Sequence, residues 1–383
     1  MTVTRRSVLT ATVAVGAAVG PMAGAAGAAD PGAADVGGDA GEGGPALWLS
    51  AGQSADGTDR IAGFGTDGAI AFAEPLPARG HAPAVRPGGR QAVICARRPG
   101  TFAAVVDLPS GRIVHRIDAA EGRHFYGHGA FSPDGRRFFA TENAQDSGDG
   151  RIGLYDAADG WRRVGEWPAG GIGPHDLRLL RDGRTLAVAI GGIRTHPATG
   201  REKLNLDTMA PALVLMDTAD GRIVDRFDMP AALHRLSLRH LAVGRDGAIG
   251  AVMQDQAETG ELRPLVAMAR PGGRLRFFEA PDPVLMRMNG YCGSAAFDRS
   301  GTVLGVSSPR GGLFTFWSLD GALLASAPVR DGCGIAADRR VGAFVLSSGL
   351  TGLWRFDVAA HRLEALAPAG DPLAHWDNHL TGV

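Results

Sequence analysis

A histidine or a cysteine recurs along this chain, each time beside a short apolar segment that ends in a turn. The recurring residues are His81, His128, His175, His240, Cys292, Cys333 and His379. Imidazole nitrogen and thiolate sulfur are ligands preferred by zinc, copper and iron, whereas magnesium and calcium prefer oxygen. If folding gathers these side chains, the sequence predicts a site for Fe, Cu or Zn. The same residues would also serve as hydrogen-bonding groups in the wall of a water-filled channel.

The two cysteines of this set allow another interpretation. Cys292 and Cys333 would form a disulfide if the chain reaches an oxidising compartment. No Cys-x-x-Cys pair is present that would favour a zinc site by local spacing. The third cysteine, Cys95, lies in an apolar segment and is expected to be a buried thiol.

The spacing of the seven positions predicts the fold that must bring them together. They are separated by 47, 47, 65, 52, 41 and 46 residues, close to the roughly 40–50 residues of a four-stranded propeller blade, with one insertion. Between them lie short apolar runs and Asp-Gly or Pro-Gly turns, without a long helical period. The sequence therefore predicts an all-β fold, a seven-bladed β-propeller of four-stranded blades over residues 45–383.

The second repeat shows the predicted blade most fully. His128 stands at the start of an inner strand at 129–132, and Asp134-Gly135 forms the turn to a second strand at 136–141. Because the inner strands of a propeller line its central channel, all seven repeat residues should face one channel mouth.

The ends of the chain predict how the ring closes. Residues 380–383 offer only an inner strand, whereas residues 46–73 offer three strands without an inner one. Pairing the C-terminal strand with the N-terminal strands would complete the seventh blade and remove the exposed edges of an open sheet.

Polar residues concentrate in loops that should form a rim around the same mouth. The candidate ligand-binding residues are Arg97, Arg98, Glu142, Asn143, Arg194, His196, Lys203, Gln254 and Arg310. The insertion at 191–211 exceeds normal loop lengths, which favours a lid or a ligand-binding loop. A solvated rim would have a similar composition, because exposed charges are the default.

The sequence carries no motif for nucleophilic catalysis or phosphate binding, and Glu142 is the candidate general base. The first function class is a non-catalytic propeller that binds a metal ion or small ligand at the channel mouth. The alternative is an enzyme using the same mouth, either a metal-dependent oxidoreductase or a lactonase-like hydrolase. A protein-interaction platform is a third class.

Charge and the N-terminus restrict partners and location. The net charge of -1 and the lack of a basic run disfavour nucleic acid and anionic membranes as partners. Thr4-Arg5-Arg6-Ser7-Val8-Leu9 precedes a short apolar segment, which predicts a twin-arginine signal peptide at 1–28 and a periplasmic or extracellular protein. Residues 29–44 are predicted to be a disordered linker. No membrane span is expected after signal cleavage, and a monomer is expected.

Several segments resemble an exported bacterial family catalogued as domain of unknown function 1513. They are 122–128, 170–176, 195–197, 203–206, 236–241 and 308–312. The resemblance covers nearly all of residues 45–383 and implies a seven-bladed propeller with a twin-arginine signal. It also implies a role accessory to iron uptake, because such proteins are often encoded near imelysin-like proteins. It implies no established activity.

Overall fold

The computed structural model describes residues 47–200, 202–257, 259–366 and 373–383. The predicted signal peptide at 1–28 and linker at 29–44 lie outside the described residues. Within the described ranges, the strands form seven antiparallel sheets that follow one another around a ring, as predicted. None of the described helices combines the length and the apolar character that a membrane crossing requires.

The described residues begin with the three outer strands of the closing blade, and six complete blades follow. The first three strands are β1 (Trp48–Gln53), β2 (Asp59–Phe64) and β3 (Ile70–Pro75). Blade one contains β4 (Gly80–Val85), β5 (Gln91–Ala96), β6 (Phe102–Asp107) and β7 (Arg112–Asp118). Blade two contains β8 (Arg123–Phe131), β9 (Arg137–Ala144), β10 (Gly150–Asp156) and β11 (Arg162–Pro168). Blade three contains β12 (Pro174–Leu179), β13 (Thr185–Ile190), β14 (Ala212–Asp217) and β15 (Ile223–Asp228).

The remaining blades repeat this order from the inner strand outward. Blade four contains β16 (Leu236–Val243), β17 (Ile249–Asp255), β18 (Val266–Ala269) and β19 (Arg276–Phe277). Blade five contains β20 (Ser294–Phe297), β21 (Val303–Ser308), β22 (Leu313–Ser318) and β23 (Leu323–Pro328). Blade six contains β24 (Gly332–Ala337), β25 (Ala343–Ser348), β26 (Gly352–Asp357) and β27 (Arg362–Leu366). The connections carry helix α1 (Asp282–Met288) and short 3-10 turns at Pro197–Thr199, Leu206–Thr208, Ala231–Leu233 and Pro309–Gly311.

The C-terminus closes the ring, which confirms the prediction. Strands β28 (His375–Trp376) and β29 (Thr381–Gly382) both pair antiparallel with β1, placing Trp376 opposite Gly52 and Gly382 opposite Trp48. The inner strand of this blade is therefore in two short pieces, and residues 377–380 bulge between them. Seven blades are complete only because the two chain ends share one sheet.

The core lies between the blades. The middle strands are buried along their length, as in β14, where every residue is buried, whereas the outer strand β7 is mostly exposed. Phe139 of blade two and Val188 of blade three belong to the same apolar cluster. Because both faces of a middle strand pack on neighbouring blades, these strands appear in the sequence as continuous apolar runs.

The inner strands break their pairing at the repeat position. In β8, Phe125 pairs with Glu142 and Gly129 pairs with Ala140, so residues 126–128 form a bulge. Similar register breaks occur beside His81, His175 and His240. The prediction that His128 begins the inner strand was wrong, because β8 begins at Arg123. A bulge re-aims a side chain, and here it places His128 at the axis.

Candidate metal centre

Five of the seven repeat residues meet at the centre of the ring. The ring centroids of His81 and His379 are 4.5 Å apart, those of His175 and His240 4.7 Å, and those of His81 and His240 6.5 Å. Gly127, with φ at +108°, allows this approach, because a Cβ there would lie 2.4 Å from Cδ2 of His81. Residues with a Cβ rarely adopt this backbone conformation. We call His81, His128, His175, His240 and His379 the histidine cluster.

Two overlapping triads within the histidine cluster have the spacing of metal ligands. One triad is His81, His128 and His379, and the other is His128, His175 and His240. In each triad one nitrogen per residue lies within 4.8 Å of the other two. Because His128 belongs to both, the two triads describe one centre with alternative ligand sets.

The first triad has a polar partner behind every ring. Nδ1 of His128 lies 3.0 Å from Oδ1 of Asp176, and Nδ1 of His81 lies 3.5 Å from Oδ1 of Asp377. Nδ1 of His379 lies 3.3 Å from Oγ of Ser294. A partner at Nδ1 holds the proton there and leaves the Nε2 lone pair for a metal. The contact of His81 with Asp377 is an ion-pair distance without hydrogen-bond geometry, and in the second triad Nδ1 of His175 and of His240 likewise has no hydrogen-bond partner among the described residues.

Both carboxylates behind the first triad are buried and ionised. Burial opposes the ionisation of Asp176, but Arg178 and His128 outweigh it and hold its pKa below the usual range. Burial likewise opposes ionisation of Asp377, but His81 and Arg79 hold its pKa below the usual range. The backbone N–H of Leu241 donates to Asp176 at 2.9 Å. The two carboxylates thus place fixed negative charges beside the rings of His128 and His81.

Four of the five histidines, His81, His175, His240 and His379, are neutral at pH 7. Burial lowers the pKa of His81 to about 4, against the opposing effect of Asp377. Burial also lowers the pKa of His175, His240 and His379 well below the usual value. A metal binds only neutral imidazole, so these four rings need no deprotonation to accept an ion.

Several ring nitrogens of the cluster are buried without a hydrogen bond among the described residues. They include Nε2 of His128 and Nε2 of His379. A buried polar atom without a partner costs about 1–3 kcal/mol of folding free energy. Five such rings packed together would therefore destabilise the protein unless a ligand satisfies their nitrogens. The donor set and the unsatisfied atoms both fit a transition metal.

We expect the metal-free protein to lose stability as the pH falls from about 6.5 to 4. As the pH falls, the folded state keeps His81 neutral while the unfolded chain takes up a proton on this residue. The free energy of unfolding therefore has its full value above the pKa of the unfolded histidine and decreases below it. His81 alone accounts for about 3 kcal/mol over this window. Urea denaturation of chelator-treated protein at several pH values would measure it. An equal pH dependence in His81→Gln would contradict the assignment to this ring.

The two cysteines of the repeat do not join the histidine cluster. Cys292 packs in the apolar core, and its Sγ lies 3.7 Å from the carbonyl oxygen of Leu265. Sγ of Cys333 donates to the carbonyl oxygen of Asp331 at 2.9 Å. Burial raises the pKa of Cys292 to about 12 and also raises the pKa of Cys333. Both are free thiols, so neither the predicted thiolate ligands nor the alternative disulfide is formed. Cys95 is a buried thiol, as predicted.

A cavity of about 210 Å³ opens onto the histidine cluster. His81, His175 and His240 lie in its wall. Five of the nine predicted ligand-binding residues also line it: Arg97, Arg98, Lys203, Gln254 and Arg310. Ile193 and Lys203 belong to the insertion at 191–211, so this loop does reach the mouth. Five of the residues predicted for the rim thus line one cavity over the histidine cluster.

The other four predicted ligand-binding residues lie elsewhere. Glu142 is fully buried inside blade two, where it accepts hydrogen bonds from Tyr155 at 2.5 Å and Arg163 at 2.7 Å. Its side chain points into the blade, so it cannot be the general base at the mouth. Asn143, also buried, faces the β9–β10 turn, where its amide can donate to Gly148 O at 3.1 Å.

Arg194 and His196 have local roles in the insertion. The backbone N–H of Arg194 donates to Oδ1 of Asn205 at 2.7 Å, and Nδ1 of His196 accepts from the backbone N–H of Ala198 at 3.1 Å. Neither lines the cavity among the described residues. These contacts stabilise the loop rather than bind a ligand.

Asp176, Asp377 and Ser294 were not among the predicted site residues. A signal was present, because Asp176 follows His175 directly and Asp377 lies two residues before His379. Each carboxylate, however, serves a histidine of the neighbouring blade, and no repeat pattern within one blade predicts that pairing.

Comparison with known proteins gives a family and a fold. A family described as "Protein of unknown function (DUF1513)" matches residues 74–383. A search of curated proteins finds no match. Among solved structures the chain is similar to hydrazine synthase from Kuenenia stuttgartiensis, with a TM-score of 0.59 and 15% identity, covering 82% of this chain and 93% of that chain. At this identity the likeness shows the fold alone.

Proposed function

The chain belongs to the family of unknown function DUF1513, and from the chemistry of the site we propose a function that the family name does not supply. The propeller binds one transition-metal ion in its histidine cluster. The observation that carries the proposal is the convergence of five imidazoles whose ring nitrogens include buried atoms without partners. The pKa of each of four rings is lowered by burial, which keeps those rings neutral. Neutral, converging imidazoles are ready ligands.

We assign the ion to the triad of His81, His128 and His379. The contacts of Asp176 with His128, of Asp377 with His81, and of Ser294 with His379 support this choice. Metal-ligating histidines almost always have such a partner on the other ring nitrogen. His175 and His240 would then form the wall beside the ion.

Nitrogen-only coordination favours zinc, copper or iron over magnesium and calcium. Three histidine ligands leave a coordination position for a further group. The twin-arginine motif at residues 4–9 supports export, and the family resemblance supports iron as the physiological ion and an imelysin-like iron-uptake protein as partner. The enzyme alternatives would use the same open position.

Metal titration tests the proposal. Chelator-treated protein, dialysed against Zn²⁺, Cu²⁺ or Fe²⁺ in turn, should retain about one ion per chain by elemental analysis. The bound ion should also raise the free energy of unfolding, by about 2.7 kcal/mol at a free concentration of 100 Kd. Mg²⁺ and Ca²⁺ serve as controls and should have no effect. Retention of none of the three transition metals above the level of a control protein would refute the proposal.

A further inference from the structure

We propose that the cavity over the histidine cluster binds a small oxyanion, a carboxylate or phosphate ligand held by arginines. Among the described residues that line the cavity, the cationic ones are Arg97, Arg98, Lys203, Arg239 and Arg310. Asp255 is the carboxylate in the same lining, and Arg263 already pairs with it at 2.9 Å. The lining therefore contains more cationic than anionic side chains.

Arg98 is held in place by neutral groups. Its Nη1 donates to the hydroxyl of Tyr126 at 2.9 Å and to Oγ1 of Thr195 at 3.1 Å, and its guanidinium lies 5.0 Å from the Tyr126 ring centroid. No carboxylate lies within ion-pair distance of Arg98 in the part of the chain that the structure describes. The side chain is thus oriented while its charge stays available to a ligand.

Arg310 lines the same cavity and is also oriented by an aromatic ring. Its guanidinium lies 4.5 Å from the ring centroid of Tyr291, and no ion pair of Arg310 with a described carboxylate is present. Stacking on an aromatic face orients a guanidinium without neutralising it. Arg98 and Arg310 therefore contribute two oriented guanidinium groups to the lining that also contains His81, His175 and His240.

The dimensions restrict the ligand to a small molecule. A volume of about 210 Å³ is below the roughly 300–1,000 Å³ of pockets for drug-sized ligands. A ligand between the arginines and the histidines would present one oxygen to the position that three histidine ligands leave open. That last step rests on the proposed function, whereas binding of the anion to the arginines does not.

Calorimetry on chelator-stripped protein tests the anion site without a metal. The probes are propane-1,2,3-tricarboxylate and inorganic phosphate, with glycerol as the uncharged control. At least one anion should bind, and its affinity should decrease at higher ionic strength, whereas glycerol should not bind. The anion that binds more tightly shows whether the ligand is a carboxylate or a phosphate. Arg98→Gln and Arg310→Gln should each weaken binding by about tenfold or more, since charge-assisted hydrogen bonds contribute about 1.5–3 kcal/mol. Arg90→Gln, an exposed arginine in the β4–β5 turn, is the matched control.

The outcomes separate this inference from the metal proposal. His128→Ala should leave anion binding by stripped protein intact, and Arg310→Gln should leave Zn²⁺ binding intact. No binding of either anion, or binding that both arginine variants leave unchanged, would overturn the inference while the metal site stands. Anion binding by a protein that retains no metal would support the inference and refute only the metal proposal.

Discussion

We expect replacement of His128 by alanine to reduce the affinity for Zn²⁺ by at least about 100-fold. His128 is the one residue common to both triads, so its loss removes a ligand from each alternative set. Loss of a partner behind a ligand already costs 10–100-fold in metal affinity, and loss of the ligand itself should cost no less. Competition with a chromophoric chelator would measure the change.

The other cluster variants identify which triad holds the ion. His81→Ala and His379→Ala should weaken Zn²⁺ binding as His128→Ala does, whereas His175→Ala should have a much smaller effect. Asp176→Asn keeps the shape of the side chain and should weaken binding by 10–100-fold. His115→Ala, on the exposed outer strand β7, is the control and should bind normally. The opposite order, with His175 essential and His379 dispensable, would move the ion to the second triad. Equal Zn²⁺ binding by all of these variants would refute both triads as the metal site.

We expect deletion of residues 380–383 to lower the free energy of unfolding by about 5 kcal/mol or more. Leu380 is buried in a cluster with Trp48 and Trp376, and loss of a buried leucine side chain costs about 2–5 kcal/mol. The deletion also removes the pairing of β29 with β1 and the hydrogen bond from Thr381 Oγ1 to Pro83 O at 2.8 Å. Since the free energy of unfolding of a domain is only about 5–15 kcal/mol, the truncated protein would lose most of its stability.

Urea denaturation of the truncated protein is the measurement. Leu380→Ala should give an intermediate loss, and Leu350→Ala, a leucine that is 55% exposed, should change stability by less than about 0.5 kcal/mol. An unchanged denaturation midpoint after truncation would show that the ring does not depend on its C-terminal strand.

The sequence determined the architecture of this protein because a propeller is built from local units. Each blade is a continuous meander of about forty to fifty residues, so its strands and turns recur along the sequence with that period. The incomplete sets of strands at the two ends of the sequence predict the closing blade. The same period identified His81, His128, His175, His240 and His379 as equivalent positions.

Tertiary structure decided which equivalent positions form the site. Cys292 and Cys333 occupy the repeat position in sequence, yet packing directs Cys292 into the core and Cys333 toward a backbone carbonyl. Glu142 reads as a rim carboxylate but is tied to Tyr155 within blade two. A pattern along one strand specifies alternation between two faces, whereas a bulge changes the direction of a side chain by an amount that depends on its neighbours. Asp176 reaches His128 only because adjacent blades meet at the axis, and that contact joins residues that no repeat relates.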